Sequence, residues 1–366
     1  MAQPRFLPRE QLQTLIDRLR AEHGRCIGPV AEGGAIVYRE IMRATELPVG
    51  WHDRQGPGSY RLLRDEGPRC FAWANGPGAL KPLLLPPEAP MWEVGRDADG
   101  RLHFTAAKAR AEPLAVLGVR ACDLAALDLF DRHFLREPAD TDYRARREAL
   151  FLVGMHCSHP ATTCFCADTG DGPECQSGFD LALHELDDGF VVQAGSAAGR
   201  HLMHTLALPA ASAEQCQAAH REHEAARAAQ HRQLPPDLPG SLLALAEDAR
   251  WQALEGRCLA CGNCTAVCPT CFCHRHEERP ALAADTSAHW RLWDSCFADG
   301  HSLLHGRPLR TQVAMRYRQW LTHKLDTWVA QYGRSGCVGC GRCISWCPVG
   351  IDLVSEATTL MEPPHA

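Results

Sequence analysis

The chain has 366 residues, enough for two domains at about 100–200 residues each, and its apolar (45%) and charged (22%) fractions are those of an ordinary globular protein. Its 38 basic residues against 44 acidic give a net charge of -6 with no basic run, which argues against a nucleic-acid partner, and no apolar stretch reaches the ~18 residues of a membrane span. The exception is cysteine, at 19 residues; with no export signal in the first 24 positions a cytoplasmic, reducing location is expected, where clustered thiols serve as metal ligands.

Leu12, Leu15, Ile16 and Leu19 share one face of a helix predicted over 8–23, which Gly24 closes. Across 27–135, short apolar runs alternate with Gly and Pro (GAIVYREI, SYRLLRD, RCFAWANGPG, ALKPLLLPP, RLHFTAAK, PLAVLGV), several with strand length and β-branched or aromatic content. Within 112–131 the pattern predicts a buried strand ending at Gly118, a loop holding Cys122 and a helix capped by Asp123. A second strand over 149–157 ends likewise in cysteines. Further strand and helix follow over 180–207, then a polar, Ala-rich helix over 211–232.

QLPPDLPGS at 233–241 breaks the chain and marks the domain boundary. Beyond it, 241–256 and 310–333 are helical in period, the latter closed by Gly333, and a short helix or coil follows Pro348. The expectation is an α+β chain: a mixed α/β domain over 1–235, then a mainly α-helical, ferredoxin-like dicluster domain over 240–366.

Two cysteine motifs carry the chemistry. Cys258-Leu-Ala-Cys261-Gly-Asn-Cys264-Thr-Ala-Val-Cys268-Pro269 and Cys337-Val-Gly-Cys340-Gly-Arg-Cys343-Ile-Ser-Trp-Cys347-Pro348 both follow C-x2-C-x2-C-x3-C-P, the spacing of bacterial [4Fe–4S] ferredoxin sites. Three thiolates on a tight loop reach three corners of a cubane, and the small residues Gly262, Gly339 and Gly341 let backbone N–H groups point at sulfur. In two-cluster ferredoxins the last Cys of each run serves the other cluster. The expected sets are therefore Cys258, Cys261, Cys264 and Cys347 for one cluster, and Cys337, Cys340, Cys343 and Cys268 for the other. Zinc also uses C-x-x-C pairs, but its closed sites need four ligands, not two quartets each ending in Cys-Pro. A zinc-stabilised scaffold without a redox role is the rival reading.

Cys122, Cys157, Cys164 and Cys166 sit at the ends of two predicted strands and meet if those strands are neighbours. The spacing fits no standard pattern, so a third [4Fe–4S] site, buried inert thiols, or a zinc site using His156 or His159 are all open. Cys271, Cys273 and Cys296 either donate to a further site or pack around the clusters, and the second reading is preferred for want of an obvious fourth ligand. Cys26, Cys70, Cys175 and Cys216 are isolated and read as structural. His274 and His276 read as solvated or as neighbours of ligands, and Trp290, Trp293, Trp320 and Trp346 as packing. The three lysines, Lys81, Lys108 and Lys324, reflect compositional bias and receive no functional weight. No dinucleotide fingerprint, P-loop, H-E-x-x-H or nucleophile elbow occurs, so no catalytic residue and no NAD(P)-binding residue is assigned.

The order GVRACDL, GMHCSHPATTCFCADTGDGP, CLACGNCTAVCPTCFC, WDSC and GCVGCGRCISWCPVGID resembles the iron–sulfur β subunit of cytosolic NAD(P)-linked [NiFe] sulfhydrogenases and, equally, its iron–sulfur relative in the anaerobic sulfite reductases. The resemblance spans roughly residues 60–353. It implies an electron-transfer subunit beside a flavin- and NAD(P)-binding partner, with either [NiFe] hydrogenase subunits or a sulfite reductase subunit completing the complex. It supports both C-terminal cubanes and a third cluster on Cys122, Cys157, Cys164 and Cys166. Ala121 departs from the family pattern, where Pro commonly precedes this Cys.

Overall fold

The apolar runs at 113–119 and 149–157 become adjacent parallel strands in a computed structural model of the chain, which describes residues 3–107, 111–282 and 285–363. In chain order the first part comprises β1 (Arg5–Pro8), α1 (Leu12–His23), β2 (Arg25–Glu32), β3 (Ala35–Glu40), β4 (Trp51–Gly56), β5 (Ser59–Arg64), α2 (Lys81–Leu84), β6 (Glu88–Arg96), β7 (Leu102–Ala106) and β8 (Leu114–Arg120). It continues through α3 (Ala121–Phe134), α4 (Thr141–Glu148), β9 (Leu150–Met155), β10 (Leu181–Glu185), β11 (Gly189–Ala194), α5 (Ala197–Thr205) and α6 (Ala213–Ala228). The remainder holds α7 (Ser241–Ala244), α8 (Asn263–Val267), β12 (His274–Pro280), β13 (Thr286–Trp293), α9 (Val313–Thr322), α10 (Trp328–Tyr332), α11 (Arg342–Ser345) and α12 (Leu353–Met361).

A sheet ordered β1-β11-β10-β9-β8-β2-β3 organises the first part, with β10, β9, β8 and β2 running parallel and antiparallel strands at both edges. Strand β9 and all of β8 but its last residue are apolar because both faces are covered. Ala115 and Leu117 of β8, Phe151 and Val153 of β9 and Leu181 and Leu183 of β10 pack with α1, on its buried Leu12, Leu15, Ile16 and Leu19. Val116, Leu152 and Ala182, one residue out of phase, face Leu124, Leu127 and Phe130 of α3 and Tyr143 of α4. Among the described residues no helix is long and apolar enough to cross a membrane.

Several sequence expectations change. Strand β8 runs on to Arg120 and α3 begins at Ala121, so Cys122 lies in the first turn of a helix and Asp123 inside it. ALKPLLLPP forms the short helix α2, and RCFAWANGPG has no regular structure. The 241–256 stretch divides into α7 and a 3-10 turn at Ala249–Leu254. The second part is not purely helical either. Its hairpin β12–β13 pairs with β6–β7 in a four-stranded antiparallel sheet ordered β12-β13-β6-β7. HRHEERP is polar on both faces of β12, so no alternation announces it. Lys108 lies outside the described residues.

Candidate metal centres

The two quartets fold alike. Gly262 and Gly341, left-handed at φ +71° and +70°, open α8 and α11, which pack against each other. In both loops an amide points at the first thiol: Ala260 N–H to Cys258 Sγ at 3.4 Å, and Gly339 N–H to Cys337 Sγ at 3.5 Å. Asn263 of the first run donates to the Trp346 carbonyl of the second.

Cys258, Cys261 and Cys264 line one apolar cavity together with Cys347 from the other run. Cys343 reaches the same wall, with Tyr317 and Trp320 beside it. The Tyr317 hydroxyl and the Trp320 indole N–H are buried without a hydrogen-bond partner, which suits a site completed by an acceptor-rich inorganic group. On the other side, Cys268 neighbours Cys337, Cys340 and Cys343. Burial raises the Cys264 and Cys343 thiols and pushes Cys337 up to about 12. Cys268 moves the opposite way: the neighbouring Cys271 thiol and the Lys324 ammonium, 3.3 Å from its sulfur, favour the thiolate.

The upstream set also converges. Cys157 and Cys166 neighbour Cys164, and Cys166 neighbours Cys122. Burial raises all four thiols, Cys166 to about 12. Asn75 Nδ2 donates to Cys122 Sγ at 2.8 Å while its Oδ1 has no partner. The two histidines weighed for zinc here are engaged elsewhere. His156 Nδ1 accepts from the Cys175 amide at 3.0 Å and its ring lies against His223, while His159 Nε2 meets the Asp53 carbonyl at 3.1 Å. Among the described residues no three His, Cys, Asp or Glu side chains converge as they would around a single ion.

This upstream loop presses on the second quartet. Phe165 N–H donates to the Gly339 carbonyl at 2.8 Å, Thr163 and Ser345 share a hydroxyl bond at 2.8 Å, and Cys340 borders Cys164 and Cys166. A Cβ at Gly339 would lie 2.5 Å from the Cys166 nitrogen, and one at Gly341 would lie 2.4 Å from the Thr163 carbonyl oxygen. These glycines therefore admit the neighbouring backbone as well as forming tight turns. Arg342 of α11 makes a bidentate pair with Asp123 of α3 at 2.9 and 2.8 Å, both side chains 1% exposed, and donates to the Gly76 carbonyl at 3.0 Å.

Sequence reasoning missed the lysines. Lys81 is buried, bonds the Thr265 and Ala266 carbonyls at 3.0 and 3.2 Å and lies 4.2 Å over the Trp293 ring. Lys324 is buried as well and bonds Thr270 Oγ1 at 2.8 Å. Two of three lysines so placed are cations held against the thiol-rich core. Their scarcity was the available signal, since Lys is almost never buried unless paired. Of the isolated cysteines, Cys70 donates to the Glu185 carboxylate at 3.2 Å and Cys175 borders Cys157. Trp320 lines the first cavity, whereas Trp346 stacks on Tyr60 and Trp290 lies under Arg279.

A family described as a 4Fe–4S dicluster domain matches residues 257–351, the segment that contains all eight cysteines of the two quartets. The fold and this match define an iron–sulfur protein of α+β architecture with a C-terminal dicluster domain. Over 360 residues the chain is 34% identical to Sulfhydrogenase 2 subunit beta of Pyrococcus furiosus, covering 96% of this chain and 97% of that protein. The chain belongs to the sulfhydrogenase β-subunit family.

Proposed function

We propose that this chain is the electron-transfer iron–sulfur subunit of a hydrogenase-type complex, working between a flavin- and NAD(P)-binding partner and a [NiFe] catalytic unit. Cys258, Cys261, Cys264 and Cys347 would hold one [4Fe–4S] cluster and Cys337, Cys340, Cys343 and Cys268 a second. Cys122, Cys157, Cys164 and Cys166 would hold a third. Bound there, such clusters store and release single electrons. The chain's own part is to fix the thiolates, exclude water with Tyr317, Trp320 and Phe165, and offset negative charge with Lys81, Lys324 and Arg342.

What supports this reading is where the last cysteine of each run lies: Cys347 lines one cavity with Cys258, Cys261 and Cys264, and Cys268 neighbours Cys337, Cys340 and Cys343. A scaffold using zinc would gather each set around one ion, and no such gathering occurs among the described residues. The sites also form a series, since Cys340 borders the upstream set while Cys264 borders Cys268. The outer end is the first quartet, whose Cys261 is exposed.

Iron and acid-labile sulfide analysis of the anaerobically isolated complex tests it. At least about twelve of each per chain, beyond what the partner subunits contribute, are expected for three cubanes; fewer than about eight would remove the two-cubane core of the proposal. Mass spectrometry of the co-purifying subunits tests the partners: a flavoprotein with [NiFe] subunits is expected, and a sirohaem protein in their place would assign the complex to sulfite reduction.

A further inference from the structure

Outside these three sets, Cys271, Cys273 and Cys296 line a single cavity of about 330 Å³, larger than the cavity in front of Cys258, Cys261 and Cys264. The strand pairing assembles them. Cys271 and Cys273 immediately precede β12 and Cys296 follows β13, with Asp294 N–H bonded to the Cys273 carbonyl at 2.9 Å. Cys273 and Cys296 are close neighbours, as are Cys271 and Cys268.

A fourth donor faces the same space. His301 lines this cavity, and its Nδ1 meets the Asp294 carboxylate at 3.0 Å. That contact fixes the ring and leaves Nε2 as the free nitrogen, the carboxylate–histidine arrangement that commonly orients a metal-ligating imidazole. Trp320, 4% exposed and with an unpartnered indole N–H, is shared between this cavity and the first. Arg310 and Lys324 add positive charge to the wall.

We propose that Cys271, Cys273, Cys296 and His301 form a further iron–sulfur cluster site, with three thiolates and one imidazole as ligands. The four donors line one cavity with room for more than a single ion, which suits a multinuclear cluster. The site abuts both quartets, through Cys271 against Cys268 and Cys296 near Cys264. It is a side branch of the electron path, open to solvent, where a partner or small oxidant can draw electrons without passing through the exposed Cys261 end.

The holo-complex provides the test. The double variant Cys273→Ser/Cys296→Ser is expected to lose about four irons and four sulfides per chain relative to the parent, while the signals of the other cubanes persist. In the folded parent reduced with dithionite, a nitrogen hyperfine coupling is expected in pulsed EPR and should vanish in His301→Gln with the iron content retained. Unchanged iron in the double variant would overturn the proposal, as would stoichiometric zinc. Recovery of Cys273 and Cys296 as a disulfide after differential alkylation of the unmodified complex would also overturn it. Failure of the proposed function instead shows as fewer than about eight irons per chain in the parent beyond those of the partner subunits, so the two failures are distinguishable.

Discussion

Ala260 and Gly339 occupy the same place in the two cysteine loops, both left-handed at φ +50° and +61°, and Gly262 and Gly341 match two residues later. The backbones agree because the C-x2-C-x2-C spacing demands it. The surroundings do not. Leu259 is 63% exposed and Cys261 is exposed, whereas their counterparts Val338 and Cys340 are buried and half-buried against the Thr163–Cys166 segment. One motif thus serves two environments: an outer site whose wall is partly open and an inner site enclosed by the other half of the molecule. Motif spacing fixes ligand geometry, while the residues between the cysteines report what leans on the loop.

The largest difference is expected in iron release. A water-soluble ferrous chelator, applied to dithionite-reduced protein, should remove iron in phases. The phase assigned to Cys258, Cys261, Cys264 and Cys347 should come first and account for about four irons. Because Cys258, Cys264, Cys337, Cys343 and Cys347 pack with the core of the second half, complete removal should unfold that half. Limited proteolysis should then cut beyond residue 240 before it cuts the seven-stranded sheet. Release in a single phase from all sites would erase the distinction between outer and inner quartets.

Next in size is the residue before the third cysteine. Arg342→Ala leaves Asp123 buried without its partner and should cost about 3–5 kcal/mol. Asn263→Ala, at the equivalent position of the first loop, removes one neutral hydrogen bond to Trp346 and should cost about 1 kcal/mol. Denaturant unfolding of the iron-loaded protein checks both. Equal costs would mean that the buried ion pair does not hold the halves together.

The local chemistry was legible and the long-range packing was not. The two cysteine runs of the dicluster domain and the strand ends leading to Cys122 and Cys157 depend on spacings of a few residues and on unbroken apolar runs. Arg342 and Asp123 are 219 positions apart, and nothing in CGRC or ACDL names the partner. The β13–β6 pairing joins segments almost as distant through strands whose polar faces give no periodic signal. Cys122 was misplaced because Asp123 looks like a helix cap, yet its carboxylate is committed to Arg342 and α3 starts earlier. The Cys271, Cys273, Cys296 and His301 grouping had a signal in C-x-C and in Asp294 two residues before Cys296, but only the hairpin brings those pieces together.

A smaller contrast concerns the glycines before the third cysteines. At Gly341 an added Cβ meets backbone, the Thr163 carbonyl at 2.4 Å, while at Gly262 it meets the Ser295 Oγ at 2.9 Å. A side chain can turn away; a peptide group in a packed loop cannot. Both substitutions bear the cost of a left-handed Ala, about 1–2 kcal/mol. Gly341→Ala should add roughly 1–3 kcal/mol of overpacking and disturb the upstream cysteines, read as iron lost beyond the second quartet. Gly262→Ala should stop at the conformational cost.

The smallest expected effect is the most discriminating, because one loop has already made the substitution the other cannot accept. Ala260 holds φ +50° where the second loop has Gly339. Ala260→Gly relieves a left-handed alanine but returns backbone freedom to the unfolded chain, two terms of similar size and opposite sign, so stability should stay within about 0.5 kcal/mol of the parent. Gly339→Ala has no such cancellation, because its Cβ would lie 2.5 Å from the Phe165 carbonyl and the Cys166 nitrogen. It should destabilise the iron-loaded protein by roughly 3 kcal/mol or more. If thermal unfolding instead gave the two variants equal and small shifts, the Thr163–Cys166 segment would not be seated on the second loop, and the inner quartet would be as open as the outer one.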